Sequence, residues 1–244
     1  MKKIIPVIVI LIVGAAIFLK VRSGEDFRYS GTVEATEIDL SARISGVIES
    51  YGAREGEPVK KGQVVAALDC ADLKLAVGIA GEDFERVEEL YKGGSVSKEN
   101  YDRLKYKRDD SALKVEWCSI KSPVTGRLLY AYREKGELVA PGTKLATVAD
   151  LSEVWAYIYV PHDLLAGLKT GMEVKGFLPE AGDRELPGRI SVIYSEAEFT
   201  PKNVQTRKER TRLVFAVKVS FPNPGETLKP GMTVEVKLPE QGQK

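Results

Sequence analysis

The sequence predicts a mostly β fold with one helical hairpin: a small β-sandwich split into two halves, an antiparallel coiled coil between them, and a small β-barrel after them. Three observations predict it. A motif of glycines and alternating apolar residues occurs twice, over residues 46–68 and 126–148. The stretch between the copies changes to a helical period, and the stretch after them returns to short alternating segments punctuated by glycine and proline.

The copies read GVIESYGAREGEPVKKGQVVAAL and GRLLYAYREKGELVAPGTKLATV. Gly46, Gly56 and Gly62 answer to Gly126, Gly136 and Gly142, at intervals of ten and then six in both. Val59 matches Val139, Val65 matches Leu145, Leu68 matches Val148 and Glu57 matches Glu137. Each copy is one supersecondary unit that cannot bury its apolar face alone. Two copies therefore imply one sandwich of interlocked halves, over residues 44–69 and 119–151. Alternation bounded by glycine turns marks short strands rather than helices.

Composition excludes several classes of function. With 36 basic and 35 acidic side chains the chain is balanced, which gives no support to a nucleic-acid binder. Its 12 prolines and 22 glycines are spread along the chain, as many short strands and turns require. A single histidine, His162, rules out a multi-histidine metal site, and neither cysteine has a Cys-x-x-Cys partner. No metal or cofactor is expected. His162 stands beside Asp163 in what reads as a loop, with no nucleophile pattern around it, so no enzyme is expected either.

In chain order, Lys2 and Lys3 precede sixteen uncharged residues, 4–19, and Lys20 and Arg22 follow them. A helix over that run covers roughly 24 Å, short of the ~30 Å hydrocarbon core. Snorkelling lysine stems can close the gap. The reading is an uncleaved N-terminal transmembrane helix within residues 1–22. The alternative is a cleaved signal peptide at Gly14-Ala15-Ala16, against which the apolar run continues through Ile17, Phe18 and Leu19. Either way the bulk of the chain is exported, and with no cysteine directly after the run a lipoprotein anchor is not expected.

Residues 27–43 alternate as a strand leading into the barrel and sandwich, with Ile38, Leu40 and Ala42 on one face. Over residues 70–118 the period becomes helical. Leu73, Val77, Ala80, Phe84, Val87 and Tyr91 form one seam, and Tyr101, Leu104, Arg108, Ser111 and Val115 a second. Gly93-Gly94 separates the arms, and Ser97 is placed to cap the second helix. Gly78 and Gly81 each weaken the first arm by about 1 kcal/mol; close approach of the helices is the one use the sequence suggests for them. Residues 152–239 read as five or six short barrel strands, at 155–160, 172–178, 188–198, 213–221 and 233–238, before a tail over 240–244. LKTGMEVKGFLP and LKPGMTVEVKLP echo one another within this region.

The two halves resemble those of a biotinyl/lipoyl-type domain. In carrier proteins of that type a tight hairpin with a modifiable lysine joins the halves, whereas here Asp69-Cys70-Ala71 opens almost fifty residues of helix. A carrier function is therefore the disfavoured alternative. Taken in order, anchor, strand, half-motif, helical hairpin, half-motif and barrel resemble the HlyD, or membrane fusion protein, family of periplasmic adaptors. That resemblance covers almost the whole chain. It implies a non-enzymatic homo-oligomer, a ring of six, linking an inner-membrane transporter to a TolC-type outer-membrane channel. The short C-terminus and the stretch FTPKNVQTRKERTRLVFAVKV resemble adaptors of ABC transporters rather than of resistance-nodulation-division pumps.

The resemblance also implies docking residues. Adaptors that meet such channels tip to tip carry an arginine, a leucine four residues on and a serine seven further, and Arg86, Leu90 and Ser97 stand at those spacings around the turn. Arginine can make a charge-assisted hydrogen bond to the channel, and leucine can fill a helix–helix groove. The structural alternative for the three is a solvated residue, a hairpin core residue and an N-cap. Lys202, Arg207, Lys208, Arg210 and Arg212 crowd between two expected strands, as a solvated loop or as a contact with anionic lipid or the pump. Finally, Cys70 and Cys118 are centred on residue 94 in the turn, so an antiparallel pair sets them opposite one another. In an oxidising compartment they are expected to form a disulfide, the alternative being two buried thiols.

Overall fold

The structure, a computed structural model, describes residues 27–199 and 213–239. The expected membrane segment at residues 4–19 and the cluster Lys202, Arg207, Lys208, Arg210 and Arg212 lie outside the described residues. Among the described residues no helix is long and apolar enough to cross a membrane. Residues 34–154 with 223–229 make one compact unit, and the described residues of 27–33, 155–222 and 230–239 make the second.

The first unit is the sandwich. Its first half supplies β2 (Gly46–Tyr51), β3 (Pro58–Val59) and β4 (Val64–Leu68). Its second half supplies β6 (Gly126–Ala131), β7 (Leu138–Val139) and the start of β8 (Lys144–Pro161), preceded by β5 (Ser119–Lys121). The short strands are exchanged: β3 pairs with β6 and β2 pairs with β7. One sheet runs β5-β4-β2-β7, and β3-β6-β8 form the facing layer.

The exchange follows the sequence repeat bond for bond. Ile48 N–H donates to Glu137 O at 2.9 Å, and its counterpart Leu128 N–H donates to Glu57 O at 3.0 Å. Gly136 N–H reaches Ile48 O at 2.9 Å while Gly56 N–H reaches Leu128 O at 2.7 Å. The matched glutamates perform one task, accepting the N–H of Arg54 on Glu57 and of Glu134 on Glu137, each at 2.8 Å. Gly56, Gly62, Gly136 and Gly142 all have φ between +82° and +93°, a region side chains disfavour. Gly126 answers a different need, since a Cβ there would lie 2.0 Å from Ala149 O. Ile48, Val65 and Leu68 of one half and Leu128, Leu145 and Val148 of the other share a single buried cluster, which also takes in Cys70 and Cys118.

Residues 223–229, expected in the barrel domain, pack with the sandwich unit instead. Buried Asn223 is the reason. Its side-chain amide donates to Leu151 O and Leu228 O at 2.9 Å, and its carbonyl accepts Leu228 N–H at 3.0 Å. Arg127 donates to the Glu226 carboxylate and closes the segment.

From this unit rises a hairpin of α1 (Ala71–Lys92, 22 residues) and α2 (Lys98–Glu116, 19 residues), so the longer arm is roughly 33 Å. Ala80, Phe84 and Val87 of the expected first seam are buried. Tyr101 stacks on Tyr91 with ring centroids 4.7 Å apart, and the Arg108 guanidinium lies 4.0 Å over the Phe84 ring, which is why an arginine stands in an apolar seam. Gly94 at φ +73° turns the chain, and Ser95 N–H then caps Leu90 O at 2.8 Å. Close helix approach does not explain Gly78 and Gly81: a Cβ at either would meet nothing within 4 Å.

Among the described residues the second unit is a closed barrel of six strands. To β1 (Tyr29–Ser41), β8, β9 (Glu173–Leu178), β10 (Arg184–Phe199), β11 (Leu213–Pro222) and β12 (Thr233–Lys237) belongs the order β1-β12-β9-β10-β11-β8, and pairing of β1 with β8 closes it. The echoed LKxGM turns close it alike. Gly171 N–H donates to Ile190 O and Gly231 N–H to Val33 O, both at 2.8 Å. β10 begins earlier than expected because Arg184–Pro187 pairs with β9, despite Pro187 and Gly188. Phe221 fills the interior against those strands, its ring 2.5 Å from a Cβ built at Gly176 and 2.6 Å from one at Gly188. His162, expected in a loop, is exposed and opens a single helical turn, α3 (His162–Leu165).

Candidate functional site

The end of the hairpin holds the expected docking residues, and each has different surroundings. Arg86 projects from α1 with 69% of its side chain exposed, 3.4 Å from Asp83 one turn earlier. Asp83 also meets Lys107 of α2 at 3.5 Å. Exposed pairs of this kind contribute about 0.5 kcal/mol, so Asp83 orients the Arg86 guanidinium without holding it against a stronger acceptor.

Leu90 is 46% exposed although it lies near the seam, because the helix ends two residues on, at Lys92. Ser97 is used internally. Its hydroxyl accepts the Asn100 N–H at 3.3 Å with extended backbone (φ −73°, ψ 153°), an N-cap that contributes about 1 kcal/mol.

Between the arms lies a groove of about 310 Å³ lined by Asp83, Arg86, Val87, Leu90, Val96, Asn100 and Leu104. It brings Arg86 and Leu90 together and does not include Ser97. Sequence reasoning missed Val96 and Asn100 and assigned Leu104 to the seam alone. Helical periodicity shows which residues face the partner arm, and it does not show which flank of the seam opens into a groove. The polar groups are Arg86 and Asp83 on one wall and the Asn100 amide, bonded to Arg103 at 2.6 Å, on the other. An apolar floor with a cation at its edge suits an aliphatic side chain followed by a carbonyl or carboxylate.

At the opposite end of the hairpin Cys70 and Cys118 are joined, with Cα atoms 6.3 Å apart and each residue 5% exposed. Cys70 directly precedes α1, and Cys118 accepts Leu68 N–H at 2.8 Å. The bridge thus ties the start of one arm to the end of the other beside strand β4.

Residues 36–150 match the CzcB-like barrel-sandwich hybrid domain, and residues 153–242 match the CusB-like β-barrel domain. Between them these matches take in the sandwich, the hairpin and the barrel. The chain thus combines a CzcB-like barrel-sandwich hybrid domain with a CusB-like β-barrel domain. A UPF0194 membrane protein from the asrC 5′ region of Acidithiobacillus ferridurans is 38% identical to this chain over 106 residues, 43% of this chain and 31% of the relative. The match thus spans under a third of that relative's length. YbhG of Salmonella gallinarum, also a UPF0194 membrane protein, is 22% identical and is matched over 96% of this chain and 95% of its own. A solved MacA–MexA chimera containing the Pseudomonas aeruginosa MexA α-hairpin domain shares this chain's fold. Its TM-score is 0.67 at 21% identity, covering 87% of this chain and 81% of the chimera.

Proposed function

We propose that the chain is the periplasmic adaptor subunit of a tripartite efflux or secretion system. It is anchored in the inner membrane through residues 4–19, assembles as a ring of six, and links an inner-membrane transporter to a TolC-type outer-membrane channel. The observation that carries this reading is the groove at the hairpin tip, where Arg86 and Leu90 present a cation and an apolar side chain at the end of an arm roughly 33 Å long. A groove there is remote from the packed core and free to meet a second protein. Lys202, Arg207, Lys208, Arg210 and Arg212 serve contact with anionic headgroups or with the transporter's periplasmic face.

For the transporter we propose the ABC type, supported by the likeness of residues 199–219 to the barrel segment of short adaptors. The CusB-like description of the matched barrel favours a resistance-nodulation-division pump as the second reading. Crosslinking in cells followed by purification of the adaptor tests both. Recovery of an outer-membrane channel together with an ATPase-coupled permease is the expected result. Recovery of the channel with a proton-driven pump moves the assignment to the second reading, and recovery of neither channel nor transporter overturns the adaptor function.

A further inference from the structure

The hairpin carries apolar side chains that its own seam does not use. On α1, Leu75, Gly78, Ile79 and Glu82 recur at steps of three, one and three, the spacing of one helical stripe. That stripe is turned away from the seam of Ala80, Phe84 and Val87, and Leu75 is 67% and Ile79 52% exposed. On α2, Tyr106, Asp109, Asp110 and Leu113 recur at the same steps, with Tyr106 73% and Leu113 44% exposed. Asp109 and Asp110 are neutralised within their own helix, by Arg108 at 2.6 Å and Lys114 at 2.7 Å. The α2 stripe therefore offers a partner its tyrosine and its leucine.

Gly78 belongs to the α1 stripe, and a Cβ built there or at Gly81 would meet nothing within 4 Å. Glycine weakens a helix, and no contact inside the hairpin requires either residue. A second helix laid against the stripe does have a use for them, because glycine lets another chain approach closely. The disulfide sets the level of the two stripes. Leu75 lies five residues after Cys70, and Leu113 lies five residues before Cys118. Ile79 is nine residues from the bridge on one arm, and Tyr106 is twelve from it on the other. At about 1.5 Å per residue the leucines share a level and the other two differ by about 4.5 Å. Side chains lean toward the N-terminus of their helix, so Leu113 leans toward the tip, to the level of Gly78.

Charge selects the partner. Residues 82–92 of α1 carry five carboxylates against Arg86 and Lys92, whereas residues 98–108 of α2 carry five cations against Glu99 and Asp102. Among the described residues Glu82, Glu85 and Glu89 of α1 and Lys98 and Lys105 of α2 make no ion pair. Two copies that meet α1 to α1, or α2 to α2, set like charges against one another, which opposes association. Meeting α1 to α2 sets opposite charges together. That contact is heterologous and repeats from copy to copy until a ring closes. Rotation about an axis along the hairpins keeps every residue at its level, and stripes at one level on opposite edges meet that condition.

We propose that hairpins of neighbouring copies pack edge to edge, with Leu75, Gly78 and Ile79 of one copy against Tyr106 and Leu113 of the next. The proposal rests on the homo-oligomer reading above and names the surfaces that meet within it. Packing of this kind closes the space between adjacent hairpins and leaves Arg86 and Leu90 free at the tip.

The test is oxidative crosslinking of the full-length protein in cells, with Leu75→Cys and Leu113→Cys on two differently tagged chains. The native cysteines are bridged and do not compete. Crosslinked dimers are expected when the two variants are expressed together and not from either alone. Gly78→Leu in the Leu75→Cys chain should lower the dimer yield by about ten-fold through overpacking, with the helical circular dichroism unchanged. Dimers from either variant alone show α1-to-α1 or α2-to-α2 contact and overturn the proposal. Sedimentation of the full-length protein in detergent separates its failure from that of the reading beneath it. Oligomers that give no crosslink between the two positions overturn the edge contact and leave the ring. A protein that sediments as a monomer and gives no crosslink overturns both.

Discussion

Cys70 and Cys118, 48 residues apart in sequence, are joined across the root of the hairpin with Cα atoms 6.3 Å apart. A loop of that length removes denatured-state entropy worth about 4 kcal/mol in the chain-entropy model. Replacing both cysteines by serine is therefore expected to lower unfolding stability by up to that amount in denaturant titrations. Alkylation of protein from the periplasm under denaturing conditions should find no free thiol. Two alkylated cysteines per chain would show that the bridge does not form in the cell.

The groove takes in Arg86 and Leu90 and not Ser97. Arg86→Glu and Leu90→Ala should abolish crosslinked recovery of the channel while leaving the helical circular dichroism intact. Ser97→Ala should lower hairpin stability by about 1 kcal/mol through loss of the cap, and Ser97→Asp, which retains a capping oxygen, should restore both stability and channel recovery. If Ser97→Asp recovers stability without the channel, the serine touches the channel directly.

Gly78 and Gly81 face open space on α1. Alanine at either position should raise stability by about 1 kcal/mol, from helix propensity alone. Unfolding of the isolated protein measures this, and a loss of stability would mean that the hairpin needs those glycines.

Barrel packing around Phe221 predicts the opposite sign. Gly176→Ala should destabilise by about 1–3 kcal/mol, since its Cβ would fall 2.5 Å from the Phe221 ring. Phe221→Leu in the same chain should recover part of that loss, a coupling that a double-mutant cycle detects.

Stability should also depend on pH through Asp39 and Lys144. Hydrogen bonds from Lys144 and then Thr147 hold the Asp39 carboxyl below its ordinary value of 3.8. The folded state then binds this proton less readily than the unfolded one, so the contribution is present above that value and fades as pH falls below it. Lys144, held above 10.5 mainly by Asp39, contributes fully below that value and loses its contribution as pH rises beyond it. Asp39→Asn should flatten both limbs of a plot of denaturation midpoint against pH. Both groups are exposed, so the effect is small.

What the sequence determined by itself is local in origin. The repeated glycines were legible because a turn at positive φ excludes side chains wherever it occurs, and two copies eighty residues apart gave the same requirement at Gly56 and Gly136. The hairpin was legible because seam, turn and cap all lie within one continuous stretch. The Cys70–Cys118 pairing follows from the antiparallel arithmetic of that hairpin.

Tertiary structure alone decided what depends on a distant partner. Strand identity reflects cross-strand packing more than backbone preference, so Arg184–Pro187 becomes strand only because β9 lies beside it. Asn223 draws residues 223–229 to the sandwich unit because acceptors at Leu151 and Leu228 satisfy its buried amide. At the tip, sequence spacing placed Arg86, Leu90 and Ser97 around one turn. The fold uses the exposed Ser97 hydroxyl as a cap and puts Val96, Asn100 and Leu104 into the groove, because the way two helices pack decides which flank of their seam stays open.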